Sequence, residues 1–522
     1  MRISTAQYYE TTAANYQRNY SNALQTSAEA SSLTKVNTAA DDPIGAARLI
    51  QLGQQSSMLD QYAGNISNLK GSYSQAETAL SAIGTALQRA KELTLGASNG
   101  TQTDADRGAA AQELGQIQNQ VLGLMNSQDA NGNYLFGGSK TSTPPYTANS
   151  DGTYSYNGDQ SEVNLAIGDS MSVASNITGW DAFQKAANTT RSQTTMTAPA
   201  VDDGRVTLSD GQISNGATFD SKFAAGQPYT VSFVSSTQLK ITDALGADVT
   251  AEASQNGVVS NKDAANQTVS FRGVDMTLNI NLKSGDTVPD AVIAGHSFQL
   301  TVKPDTINTS RSPGNPSVAV ISGATQTNST AYNSTFPTGG AILKFTSATA
   351  YDLYASPITA SSKPVSSGVM AGSTATAAGV TFTLGGTPAA GDQFVVQPND
   401  HQTQNVLDTL SQLRTALTAP ADNNAVALQK MQAAVASGIG NLDTAQAQLG
   451  SAITAVGVRG QALDDQTATN QSLSLANTAS QSAIRDSDPA AVMTRLTLQQ
   501  TMLQAAQLAF SKISQLGLFN KI

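Results

Sequence analysis

No cysteine occurs among the 522 residues, which removes disulfides, thiolate metal sites and cysteine nucleophiles together. If such a chain works outside a cell, something other than covalent staples must stabilise it. There are only two histidines, His296 and His401, and neither lies in an HExxH or Cys/His spacing. Both read as surface or capping residues. Charged residues make up 13% and aromatics 5%, while Ala, Ser, Thr, Gln and Asn abound, a balance unlike that of a typical soluble enzyme. Such polar, uncharged surface can be buried against copies of itself with little charge desolvation. Lys and Arg number 28 against 38 Asp and Glu, a net charge of -10 that leaves no general basic surface for nucleic acid or an anionic membrane. No apolar run approaches the ~18 residues of a membrane span, so membrane insertion is not expected. The start, MRISTAQYYETTAANYQ, lacks a signal-peptide core. The expectation is a cytoplasmic chain, or one exported without a cleaved signal.

What the chain does have is helical periodicity at both ends. Leu59, Tyr62, Ile66, Leu69, Tyr73, Ala76, Leu80, Ile83, Leu87 and Ala90 alternate three and four apart, a heptad seam for a long helix packed in coiled-coil fashion. After Gly96 to Gly100 and Asp104 the spacing resumes at Leu114, Ile117, Val121 and Leu124, which predicts a second, antiparallel helix. The same pattern returns at Ile439, Leu442, Leu449, Ile453, Val456 and Leu463. A helix over 423–480 would be roughly 85 Å long at 1.5 Å per residue, comparable to the one starting near residue 43. Two partners of matching length, one from each end, are expected to lie side by side.

Between about residues 140 and 400 the sequence turns to short alternating runs such as YTVSF (229–233), LKIT (239–242) and FQLTV (298–302), which read as antiparallel strands. Gly273-Val274-x-x-Thr277-Leu278 recurs as Gly379-Val380-x-x-Thr383-Leu384, and AGHSFQLTVKP (294–304) is echoed by AGDQFVVQP (390–398). Two related β-modules are therefore expected, joined by a linker over the Ser-, Asn- and Pro-rich segment 305–338. The fold class predicted is α + β multidomain: long N- and C-terminal helices paired as a coiled-coil domain, with antiparallel β-rich domains inserted. The boundaries drawn are an N-terminal assembly segment (1–42), half of the helical core (43–140), two β-rich domains (141–304 and 305–400), the other half of the core (401–488) and a C-terminal assembly helix (489–522).

No catalytic, metal or cofactor site emerges. GASNG (96–100) matches GxSxG but follows a predicted helix, where a nucleophile elbow must follow a strand, so Ser98 reads as a loop residue. Adjacent aspartates diverge in regular structure, which assigns Asp464/Asp465 to a solvated helix face and Asp202/Asp203 to a turn before Gly204. For Asp41-Asp42-Pro43 a metal pair, a carboxylate pair and helix punctuation are all conceivable. The simplest is punctuation: Asp accepts free amides of a first turn, proline loses no donor there, and negative charge faces the positive helix end. Asp486-Ser487-Asp488-Pro489 repeats the device before the last helix. That helix carries Val492, Leu496, Leu503, Ala506, Phe510 and Ile513 as a stripe, holds Arg495, Lys512 and Lys521, and has no acidic residue after Asp488. Near the other terminus Tyr9, Tyr16 and Ala23 are seven apart. Either the two ends pair within one globular domain, or they fold only when copies stack.

MRIST at the start, KVNTAADDPIGAARLIQL (35–52), YLFGGSK (134–140) with TPPYT and YNGD, and the ending FSKISQLGLFNKI resemble the flagellin superfamily. The resemblance spans about residues 1–183 and 400–522. It implies paired terminal coiled coils forming the wall of a tube, outward-facing β-modules and export unfolded through a flagellar channel. Within that family it implies a non-enzymatic adaptor of the hook-filament junction: a self-assembling ring contacting hook-associated protein 1 on one side and flagellin on the other. Asp41, Asp42 and Pro43 match that family's motif at the mouth of the long helix, and with Asp488 and Pro489, read from their local chemistry, they are expected to cap helices. By the same resemblance Tyr9, Tyr16, Val492, Leu496, Leu503, Phe510 and Ile513 meet other subunits or a cytosolic export chaperone. Leu59, Ile66, Leu69, Leu80, Ile83, Leu87, Leu442, Leu449, Ile453 and Val456 form the core seam. The alternatives are flagellin itself, the first hook-associated protein, a surface adhesin using the β-modules and, least supported, an enzyme.

Overall fold

The computed structural model describes residues 5–149, 152–262 and 266–519. Its long helices are α1 (Thr5–Ser32), α2 (Pro43–Ala97), α3 (Asp104–Met125), α4 (Val406–Thr418), α5 (Ala425–Arg485) and α6 (Pro489–Phe519). Among the described residues between α3 and α4 lie only short helical turns and antiparallel strands. No described helix is long and apolar enough to cross a membrane. The chain divides into two compact units: residues 1–74, 164–175 and 457–522 form one, and 75–163 with 176–456 the other.

In the first unit, α1 and α6 run antiparallel, and the start of α2 runs antiparallel to the end of α5. Leu52, Leu59, Ile66, Leu69 and Tyr73 are buried on α2, as are Leu463, Asn470 and Asn477 on α5. The two asparagines stand at heptad spacing and place their amides on backbone carbonyls, Asn477 on Leu52 (2.8 Å) and Asn470 on Ile167 (2.9 Å). A buried Asn at a seam fixes register at some expense in stability. Ile167 belongs to the hairpin β3 (Asn164–Gly168) and β4 (Met171–Ala174), which covers one face of this helix pair. Residues 164–175, assigned by texture to the first β-rich domain, thus accompany the terminal helices.

The second unit holds the rest of both long helices. On α2, Ala76, Leu80, Ile83, Leu87 and Ala90 are buried; on α5, Met431, Val435, Leu442, Ala445, Leu449, Ala452 and Val456 are. Ile453 and Ile439 are only half-buried, because the closed positions of α5 fall on Ala452 and Gly438, one residue away from these larger side chains. Small residues let the helices approach closely. An Asp104–Arg107–Asp422 cluster ties the first turn of α3 to the loop before α5; Arg107 is 1% exposed. The helix α4, which falls inside the expected helical-core half 401–488, packs on α3 and supplies Leu407, Leu410 and Leu413 to the core. The YLFGG motif lies over the aromatic cluster Phe136, Tyr146, Tyr156 and Phe183, with the hairpin β1 (Tyr146–Ala148) and β2 (Tyr154–Tyr156). Gly138 has φ +70°, and a Cβ there would lie 2.2 Å from Asp159 Oδ1.

Two β-modules follow in the same unit. The first contains β5 (Ser192–Ala198), β6 (Val206–Leu208), β7 (Gln212–Ile213), β8 (Tyr229–Ser235), β9 (Gln238–Thr242), β10 (Gln267–Phe271), β11 (Val274–Ile280) and β12 (Ser297–Val302). The second contains β13 (Thr306–Arg311), β14 (Val320–Gln326), β15 (Ala341–Phe345), β16 (Ala350–Ala355), β17 (Ser366–Val369), β18 (Thr374–Ala377), β19 (Val380–Gly385) and β20 (Gln393–Asn399). The sheet orders correspond: β5-β12-β8-β9 matches β13-β20-β15-β16, and β6-β11-β10 matches β14-β19-β18. Finer details correspond too. Arg272-Gly273 and Ala378-Gly379 make the same hairpin turn, with φ of +47° and +83° in one and +45° and +81° in the other. Each glycine carbonyl accepts the amide of an asparagine, Asn215 or Asn328. That asparagine caps a short helix carrying two stacked rings, Phe219/Phe223 or Tyr332/Phe336. The modules are duplicates.

Residues 305–338 are therefore not a linker. They supply β13, β14 and the cap helix Ser329–Thr335 of the second module. Their alternation was obscured because β13 buries only Ile307 and β14 buries none of its side chains.

Candidate functional site: the paired terminal helices

The features that set this chain apart concentrate in the first unit, around the connectors of α1 to α2 and of α5 to α6. Asp42 accepts the amides of Ile44 (3.1 Å) and Gly45 (2.9 Å), Pro43 occupies the first helical position, and a Cβ on Gly45 would lie 2.3 Å from Asp42 Oδ2. The glycine makes room for the cap. Asp41 does something else: its carboxylate accepts from the Asn37 and Thr38 amides (3.1 and 2.8 Å), closing the preceding turn. The Thr38 amide, with its hydroxyl, holds this carboxyl below the ordinary range. Asp488 accepts the Ala490 amide (2.9 Å) behind Pro489. Asp486 instead pairs with Arg485 (2.9 Å).

The two connectors hydrogen-bond to each other. Lys35 donates its amide to Arg485 O (2.7 Å), and Ser487 donates to Leu33 O (2.9 Å). Lys35 Nζ reaches Ala483 O (2.9 Å), placing a cation at the negative end of α5. Glu29, whose side chain is 15% exposed, accepts from Ser487 Oγ (2.6 Å) and from Arg495 Nη2 through both oxygens (3.0 Å each). These contacts join residues some 450 positions apart. No local sequence pattern marks them, because a lone Glu and a lone Arg carry no local signal.

Between α1 and α6 the buried side chains are Ala23, Thr26 and Val492; Tyr16, Leu496 and Leu503 are half-buried. Tyr16 accepts a hydrogen bond from Gln507 Nε2 (3.0 Å). Gln499 Oε1 is buried with no partner among the described residues. Phe510 is 40% exposed. The side chains of Tyr9 and Ile513 lie outside the described ones. Away from α1, Met493, Leu498, Met502 and Leu508 are exposed on α6, as are Tyr20 and Leu24 on α1 and Ile44, Ile50 and Met58 on α2. These exposed apolar side chains leave α6 only partly covered by α1. Alongside, α2 and α5 leave a groove of 340 Å³ floored by Leu59, Ala63 and Ile66 and edged by Ser67, Thr467 and Ser474.

Charge follows the same division. The first unit has ten Lys and Arg against ten Asp and Glu, so the whole excess of -10 belongs to the second. A neutral, apolar surface meets copies of itself without repulsion, whereas a charged one keeps chains apart.

The sequence profile of the bacterial flagellin N-terminal helical region matches residues 3–141, the stretch containing α1, α2 and α3. Over those residues the chain is similar to the bacterial flagellins. Flagellar hook-associated protein 3 of Salmonella typhimurium is 32% identical to it over 183 residues, 35% of this chain and 57% of that protein. A Clostridium tyrobutyricum flagellin is 27% identical over 221 residues, 42% of this chain and 51% of that one. The chain spans about half the length of the curated relatives it matches. The crystal structure of flagellar hook-associated protein 3 from Legionella pneumophila has the same fold, with TM-score 0.51, 18% identity and coverage of 82% of this chain and 96% of that one. In this chain, long terminal helices flank a middle of antiparallel strands.

Proposed function

We propose that this chain is a non-enzymatic structural subunit of the bacterial flagellum, an adaptor joining the hook to the flagellin filament. The observation that carries it is the first unit itself. Its net charge is zero, it takes both ends of the chain, and α6 exposes apolar side chains on the faces α1 leaves open. The similarity to flagellar hook-associated protein 3 supports the junction in particular.

In this reading copies assemble into a ring through α1, α6 and the adjoining face of α2 and α5. Hook-associated protein 1 and flagellin contact the two sides of the ring, and the β-modules face outward. Tyr9, Tyr16, Val492, Leu496, Leu503, Phe510 and Ile513 serve the subunit contacts, and before export a cytosolic chaperone covers the same stripe. Residues 1–42 and 489–522 act as the assembly segments, and 43–140 with 401–488 as the helical core. The protein works outside the cell, on the flagellum. A second reading, a bulk filament subunit, draws on the 221-residue match to a flagellin.

Two experiments test this. A chain ending at Asp488 should leave the β-modules folded, by circular dichroism and protease resistance, yet form no junction; intact junctions from it would refute the assembly role of α6. Gold-labelled antibody to residues 200–400 on intact cells should mark one narrow band between hook and filament. Label along the filament would establish the flagellin reading, and label scattered over the cell surface would overturn both.

A further inference from the structure

The duplication of the β-modules makes one difference between them informative. His296 immediately precedes β12 at Ser297, and Asp392 immediately precedes β20 at Gln393. Both side chains are closed off, at 3% and 0% exposure, so His296 is not the surface or capping residue its sequence context suggests. Each reaches the loop between the first two strands of its module. Asp392 holds the second module's loop by accepting the Ser317 amide (3.1 Å) and hydroxyl, and also accepts the Ala389 amide (2.8 Å). His296 holds the first module's loop through Nε2 on Asp203 Oδ1 (3.0 Å), while Nδ1 faces Ile293 O (3.2 Å).

Both ring nitrogens of His296 thus face oxygens that can only accept. A neutral imidazole donates to one and turns a lone pair on the other; only the imidazolium satisfies both. The surrounding charges are Arg205, bound to Asp203 (3.0 Å) and Asp286 (2.9 Å); Lys283, donating to Asp203 O (2.9 Å); Asp202, paired with Lys430 of α5 (2.8 Å); and Asp290, engaged by the Ser236 amide (2.8 Å) and hydroxyl. The loop itself bears on α5. Besides the Asp202–Lys430 pair, a Cβ on Gly204 would lie 2.9 Å from Val426 Cγ2.

We infer that His296 is a proton-controlled latch: as imidazolium it holds loop 199–205, and with it the first module's footing on α5, and its deprotonation loosens that hold by leaving Nε2 a neutral donor to Asp203, while the second module's loop stays shut. The proton leaves to solvent, breaking the Nδ1 contact and the charge attraction to Asp203, and no other bond changes.

Amide hydrogen exchange on the full chain, corrected for the intrinsic dependence of exchange on pH, tests this. As pH rises through the His296 titration, followed by its ring proton resonance, opening of 199–206 should increase, by at most about tenfold per pH unit for one proton. Peptides from 312–320 should not change. In His296→Gln the slope should vanish, with the 312–320 peptides reporting that the fold is kept; should that variant not fold, Asp203→Asn must flatten the slope instead. A flat response of 199–206 in the unaltered chain, or a slope that survives these substitutions, would overturn the latch.

Discussion

Replacing Glu29 by alanine should open the α1–α6 pair without touching the rest of the molecule. That pair is held by few closed contacts, Ala23, Thr26 and Val492, so one polar clamp is a large share of what joins it. Glu29 accepts from Ser487 Oγ at 2.6 Å and from Arg495 at 3.0 Å. Hydrogen bonds to a charged group contribute about 1.5–3 kcal/mol each when shielded, and exposed ion pairs about 0–1. Arg495 is half exposed, so its share is discounted, and the loss comes to about 2 kcal/mol, or roughly thirtyfold in the opening equilibrium. The assay is amide exchange on the monomeric chain. Peptides within 10–32 and 489–512 should exchange roughly thirtyfold faster in Glu29→Ala, with the β-modules unchanged, and Glu29→Gln, which keeps an acceptor for Ser487, should fall between. Unchanged protection of both helices would refute the clamp as their fastening.

Other outcomes follow from the same structure. Gly379→Ala puts a Cβ 2.4 Å from Asn328 O at φ +81°, and should destabilise the second module by about 2 kcal/mol, the sum of left-handed strain and a damaged cap, seen as a lower urea midpoint. Phe394→Ala removes a fully buried ring packed edge-on against Phe345, and should cost that module about 3–5 kcal/mol in thermal unfolding. His401 is nine-tenths buried, and desolvation, followed by the nearby Lys303, lowers its pKa from the ordinary 6.5. The unfolded chain therefore binds this proton more readily, so the junction at Pro304 should weaken as pH falls below about 6.5 and His401→Gln should remove that dependence. Burial alone would raise the Asp203 carboxyl, but His296 and the Arg205 amide and guanidinium hold it at about 2, so its stabilisation is full above pH 3.8 and should disappear on acidification towards about 2, measured as acid unfolding of the first module.

Periodicity settled a good deal without any structure. The heptad spacing of Leu59, Ile66 and Leu69 and of Leu442, Leu449 and Val456 made long helices legible, because core residues must recur every 3.5 positions along a helix packed on another. Asp42-Pro43 and Asp488-Pro489 marked helix starts, since capping is a local matter. The Gly-Val-x-x-Thr-Leu echo announced duplicate modules because a tight hairpin demands glycine wherever it occurs.

Tertiary structure decided the rest. It moved the closed positions of α5 to Ala445 and Ala452, which hydrophobicity alone ranks below Ile453. It made Ser- and Thr-rich residues 306–326 into strands, whose backbone bonds need no apolar pattern once the neighbouring strands exist. It separated Asp41 from Asp42, one closing a turn and the other a helix, and brought Glu29 to Arg495 and His296 to Asp203. Contacts between residues distant in sequence depend on how helices and strands pack, and no stretch of the chain encodes them by itself.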